Sequence, residues 1–197
     1  MKTIALIALL LLVLFIASQI WANSQVKNIE EYPYTILKSF GDFEIREYAQ
    51  ANFIYVTMDT KTYNEGSGQG FNVLAGYIFG GNDRGQKIAM TSPVVMNMEE
   101  QMTMKFLVPA QYKIEDLPKP DNVNVQFQTE EERVMAAITF DGFANDEKIA
   151  SERDKLFARL AEESIEHTGD WSFMGYDPPF KLTGRKNEVV VALRQAQ

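Results

Sequence analysis

The chain contains no cysteine. That absence removes disulfides, thiolate nucleophiles, iron–sulfur clusters, cysteine-ligated zinc and a cysteine for lipid attachment. Histidine is almost as scarce, with His167 the only one in 197 residues. Gly66-Ser67-Gly68-Gln69-Gly70 has the spacing of neither a nucleophile elbow nor a phosphate-binding loop. With no catalytic signature, the chain is expected not to be an enzyme, with no catalytic and no metal-site residues. Positive charge is in short supply as well. Nineteen basic against 27 acidic residues give a net charge of −8, which opposes the phosphate contacts of nucleic-acid binding and a flat seat on an anionic membrane. Low-complexity tracts are missing too.

What is present begins with an apolar leader. Lys2 is a minimal positive start, residues 4–16 are uninterruptedly apolar, and Ala22 offers a small residue for cleavage before Asn23 and Ser24. Residues 1–22 therefore read as a signal peptide or a retained N-terminal membrane anchor, since the run approaches the ~20 residues that span a bilayer. Either way residues 23–197 are expected to be exported: periplasmic, or held at the inner membrane facing the periplasm. They are enough for one core and too few for two ordinary domains.

Within that domain, residues 43–48 and 53–60 read as strands, 64–70 as a loop, 70–79 as a helix, and 87–98 with 102–109 as a hairpin across Glu99-Glu100-Gln101. The order repeats: strands 123–128 and 133–140, a helix over 145–167 capped by Asn145 and stopped with the help of Gly169, then strands 171–176 and 189–193. The expectation is an α+β fold of two pseudo-symmetric ββαββ halves. The first helix is apolar on nearly every side. Phe71, Leu74, Ala75 and Ile78 form one stripe, and Val73, Tyr77 and Phe79 spread over the rest, so it is either wholly buried or offers a second face to something apolar. It ends at Gly80-Gly81-Asn82.

The segment Gly70-Phe71, Gly80-Gly81-Asn82-Asp83 and Lys87-Ile88-Ala89-Met90-Thr91-Ser92-Pro93-Val94 resembles the SOUL/haem-binding protein family. So do Phe43-Glu44-Ile45-Arg46-Glu47-Tyr48, Tyr176-Asp177-Pro178-Pro179 and Arg185-Lys186-Asn187-Glu188-Val189, and the likeness spans residues 31–193 in order and spacing. The resemblance implies a distorted antiparallel β-barrel flanked by two helices, similar to small-molecule-binding domains of some transcriptional regulators. It also implies non-covalent binding of haem or a related tetrapyrrole on an apolar face of the first helix, with basic side chains at the propionates. The matching residues are Phe71, Leu74, Ala75 and Ile78, with Arg84 and Lys87 as the nearest cations. Some members carry a histidine directly after Glu-Ile-Arg. Here Glu47 stands there, which implies binding without strong axial iron ligation.

Two alternatives belong to other classes. One is an extracytoplasmic interaction or structural domain that has lost tetrapyrrole binding, its helix being core. The other is a Cu(I) protein using Met96, Met98, Met102 and Met104 near the hairpin, where thioethers are soft ligands but alternating methionine is also ordinary core packing. His167, among Glu163, Glu166 and Asp170, reads as a charge-paired residue at the end of the second helix.

Overall fold

A computed structural model describes residues 2–26 and 29–194. Met1 and residues 195–197, the outer ends of the expected leader and domain, lie outside the described residues, as do the side chains of Lys2, Ala22 and Asn23. Helix α1 (Lys2–Val26) carries the leader. Its described apolar side chains, from Ile4 to Ile16, are exposed. No helix qualifies as long and apolar enough to cross a membrane among the described residues, and side chains in α1 are described without a break only over residues 9–19.

Eleven strands and two further helices follow: β1 (Glu30–Glu31), β2 (Tyr34–Ser39), β3 (Phe43–Tyr48), β4 (Ala51–Met58), α2 (Tyr63–Ile78), β5 (Thr91–Ser92), β6 (Val94–Met98), β7 (Met102–Leu107), β8 (Gln126–Glu130), β9 (Arg133–Asp141), α3 (Asp146–Glu162), β10 (His167–Gly175) and β11 (Lys186–Leu193). Nine strands form one antiparallel sheet in the order β2-β3-β9-β11-β10-β6-β7-β4-β8, curled into a half-barrel, while β1 pairs in parallel with β5. The two-half expectation holds. β3-β4-α2-β6-β7 and β8-β9-α3-β10-β11 are related by a pseudo-twofold through the central β6–β10 pair. The first strand of each half crosses over: β3 pairs with β9, and β8 with β4.

The central strands are buried on both faces. In β11, Val189 and Val191 join Ile138, Phe140, Phe173 and the methionines under α2 and α3. Val190 turns the other way, to Tyr48, Phe53, Met135 and Met174, and Tyr32 caps this second cluster.

Several boundaries differ from expectation. The segment 64–70 is not a loop; it is the first half of α2, capped by Thr62, whose hydroxyl accepts from the Glu65 amide. Asp146 of α3 accepts from the Tyr63 and Asn64 amides (2.5 and 3.2 Å), so the two helix starts meet at one carboxylate. The glycines that suggested a loop serve close approach. A β-carbon on Gly66 would strike the Met102 sulfur, and one on Gly70 would sit 2.6 Å from the Met58 sulfur. The strand expected over 87–98 is confined to β5 and β6, on either side of a cis Ser92–Pro93 bond. Helix α3 stops before His167: Ser164 adopts the left-handed conformation (φ 57°) and the Ile165 amide returns to the Leu160 carbonyl. His167 and Gly169 belong to β10.

The glycines of α2 should respond oppositely to alanine. Nothing lies within 4 Å of a β-carbon on Gly76, so Gly76→Ala should stabilise by about 1 kcal/mol through helix propensity. Gly66→Ala meets the half-buried Thr60 and the fully buried Met102, where overpacking of about 1–3 kcal/mol outweighs the same gain. Urea unfolding of both variants should move the midpoint up for the first and down for the second.

Candidate functional site

The two halves meet along β6 and β10, where Met96 faces Phe173 and Val94 faces Gly175. These residues floor a cleft of about 430 Å³. One wall is the outer face of α2, with Tyr63, Ser67 and Phe71 at helical spacing. Tyr63 packs edge-on against Phe173 at 5.3 Å. The opposite wall is the segment from Tyr176 to Phe180, with Arg185 and Asn187. A smaller recess of about 160 Å³ adjoins it at Ile29, Ser92, Tyr176 and Asp177. In size and apolar lining the cleft suits a small molecule.

The polar groups of the far wall form a tight framework. Asp177 accepts from Lys181 Nζ and from the Lys186 amide, both at 2.6 Å. Arg185 donates to the carbonyls of Pro178, Lys181 and Asp177 at 2.7–3.1 Å and stacks on Phe143 at 4.6 Å. Leu182, just beyond, donates its amide to Gln19 of α1 at 3.0 Å.

Behind the cleft lies a fully buried carboxylate, Glu188. Arg46 meets it with two bonds (2.9 and 3.1 Å), Tyr176 donates at 2.6 Å and Thr139 at 3.1 Å, and Lys186 Nζ stands 3.3 Å away. Burial pushes the Glu188 carboxyl up, but the hydrogen bonds and charge of Arg46, then Lys186 and Tyr176, outweigh it and hold the group below its usual range. Burial and the Glu188 charge push the Tyr176 hydroxyl far above its ordinary value, and burial pushes Tyr63 up as well. Both cleft phenols are therefore protonated at neutral pH.

The six residues expected to hold the ligand are separated by the fold. Phe71 lines the cleft and is 38% exposed. Leu74, Ala75 and Ile78 turn into the core and are at most 7% exposed. Arg84 is exposed and donates to the Asp116 carbonyl, and Lys87 is exposed. Neither borders the cleft. Phe79, also read on this helix, is 62% exposed beyond its end. His167 lies in β10 packed at a tilt against Phe157 at 4.2 Å, not at a helix end. Met102 and Met104 are fully buried under α2. No group of three histidine, cysteine or acidic side chains suited to a metal occurs among the described residues. The cleft residues that sequence reading missed, Tyr63 and the 178–187 wall, come from a helix start hidden by glycines and from a stretch more than 90 positions beyond the end of α2. The signal for the wall was the Tyr176-Asp177-Pro178-Pro179 and Arg185-Lys186-Asn187-Glu188 pair of motifs.

The model of the SOUL heme-binding protein family matches residues 29–192. The chain belongs to that family. Among its SOUL relatives, Heme-binding protein 1 of Xenopus laevis is 31% identical over 155 residues, covering 75% of this chain and 81% of the relative. Heme-binding protein 2 of Homo sapiens is 28% identical over 163 residues, covering 76% and 77%. In structure, the C-terminal domain of EcmrR superposes with a TM-score of 0.61 at 8% identity, over 83% of this chain and 99% of that domain, a likeness of fold alone. The SOUL-like motifs meet physically in this chain: Arg46 of one binds Glu188 of another, and Glu188 also accepts from Tyr176 of a third.

Because the fold holds Glu188 below its ordinary range, the ion pair stabilises the protein fully at neutral pH. That contribution is lost as pH falls below the ~4.3 of an unfolded glutamate and through the depressed folded value. Glu188→Gln takes away the buried counter-charge of Arg46 and leaves it only the part-exposed Glu44, and should cost about 3–5 kcal/mol at pH 7. Urea titrations at pH 7 and 3.5 should show the gap to wild type narrowing at the lower pH; a constant gap would refute the role of the charge.

Proposed function

We propose that this protein binds haem or a related tetrapyrrole non-covalently in the cleft between α2 and the 176–187 wall, with no strong axial iron ligand and no catalytic step. The observation that carries the reading is the cleft itself: about 430 Å³, floored and walled by Phe71, Met96, Phe173 and Phe180, at the junction of the two halves. Family membership and the names of the relatives point the same way. Burying a few hundred Å² of apolar ring at about 25 cal/mol/Å² gives roughly 5–10 kcal/mol gross, enough for micromolar binding once association costs are met by additional polar contacts. Phe71 and Phe180 would flank the ring, Phe173, Met96 and Val94 would support it from below, and the bound group would supply its own redox or light-absorbing chemistry. Among the described residues no histidine borders the cleft, and the Tyr176 hydroxyl is committed to Glu188, which supports weak ligation of iron.

We place this binding outside the cytosol. The support is the leader: a lysine, thirteen uninterrupted apolar residues over 4–16, a small residue at position 22 and then ordinary soluble composition. A reporter active only outside the cytosol, fused after Gln197, should be active; a silent but well-expressed fusion would refute export.

Haemin titration of the full chain, followed by the Soret band and tryptophan quenching, tests the binding. Saturable micromolar binding is expected, set against an unrelated acidic protein at equal concentration. Phe71→Glu should weaken it at least tenfold with little change in melting temperature, because Phe71 is already part-exposed and its carboxylate can hydrate. His167→Ala should leave affinity and spectrum unchanged. Unaltered binding by Phe71→Glu would move the site elsewhere, and loss of the Soret band in His167→Ala would make the histidine a ligand.

A further inference from the structure

Two arginines of this chain are withdrawn from water to a similar degree, Arg46 at 3% and Arg185 at 9% exposure. Their surroundings differ in kind. Arg46 faces the Glu188 carboxylate in a two-bonded pair and also bonds Glu44 and the Tyr48 hydroxyl. Arg185 has only neutral acceptors: the carbonyls of Pro178, Lys181 and Asp177. Among the described residues no carboxylate pairs with it. A guanidinium carries five N–H donors, and these three bonds leave two of them over. One is Nε–H, which is buried and has no partner. An unpaired N–H and an uncompensated charge inside a protein are both costly, and Arg185 lines the cleft.

The other nearby charges are already engaged. Asp177 is bonded to Lys181 and to the Lys186 amide. Lys186 Nζ stands beside Glu188 and over the Tyr176 ring at 3.8 Å. That leaves Arg185 as the one charged residue bordering the cleft, among those described, whose charge is unanswered.

We infer that Arg185 is the specificity-determining residue of the cleft: it receives a carboxylate carried by the apolar ring ligand, and it selects anionic over neutral forms of that ligand. The inference rests on the reading of this cleft as the tetrapyrrole site, and it moves the propionate contact from Arg84 and Lys87 to the opposite wall. The guanidinium is held in place before the ligand arrives, its plane fixed by three carbonyls and by the Phe143 ring, so little side-chain ordering remains to be done on binding. A carboxylate there completes a charge-assisted bond of the strong kind. The same bond links ligand occupancy to the order of the 177–181 segment, since the residue that meets the ligand also ties that segment down.

The test compares haemin with haemin dimethyl ester, whose two propionates are neutral, by equilibrium titration of the full chain. Wild type should bind the diacid at least about tenfold tighter than the diester. Arg185→Gln should lower diacid affinity to the level of the diester and leave diester affinity within about threefold. Arg185→Lys, which keeps the charge, should recover part of the preference. If wild type binds both forms equally, or if Arg185→Gln keeps the preference or weakens both forms alike, the inference is overturned while the cleft remains a tetrapyrrole site. If neither form binds wild type, the site assignment fails first.

Discussion

A guanidinium and a carboxylate, both removed from water, hold this fold across its seam. Arg46 sits on the first strand of one half and Glu188 on the last strand of the other, separated by β9. In the interior neither can be left alone, because an unpaired buried charge costs several kcal/mol. The pair is therefore satisfied only when β3, β9 and β11 are in the observed register, with Arg46 opposite Met135 and Glu188 opposite Thr139. A shift of one residue would turn Arg46 to the helix-covered face and part it from Glu188. Hydrophobic burial closes the half-barrel, and this pair specifies how it closes. It also fixes the cleft, because Tyr176, at the start of the polar wall, donates to the same carboxylate.

Much of the architecture was legible from periodicity. β3 has the expected bounds, β9 differs by one residue at its end, and the repeated ββαββ order is present. Where reading failed, packing overrode local propensity. The glycine-rich start of α2 looks like a loop to any scale that scores residues singly, yet Gly66 and Gly70 let the helix settle onto Met102 and Met58. The end of α3 was misplaced because a serine, which ordinarily avoids the left-handed region, takes the stop position in place of Gly169.

The site was legible in its motifs and not in its geometry. An all-round apolar helix leaves open which side faces the core. The fold turns Leu74, Ala75 and Ile78 inward and leaves Phe71 at the cleft. No periodicity within the helix could assign the cleft's cation, since Arg185 reaches it from the far end of the chain. The two buried arginines belong to two of the recognised motifs, but only their surroundings separate a structural ion pair from a charge left for a ligand.

The exchange of first strands between the halves has a consequence for how the chain comes into being. Neither half can complete its sheet: β4 waits for β8, and β3 waits for β9. During synthesis from the N-terminus the edges of β3 and β4 therefore stay open until β9 ends at Asp141, and that of β6 until β10 ends at Gly175. Such non-local pairing is slow to form. A chain with this topology is poorly suited to fold domain-half by domain-half as it emerges, and remains threadable for longer than a locally paired barrel of the same size. Its two halves are bound to one another in time as well as in space.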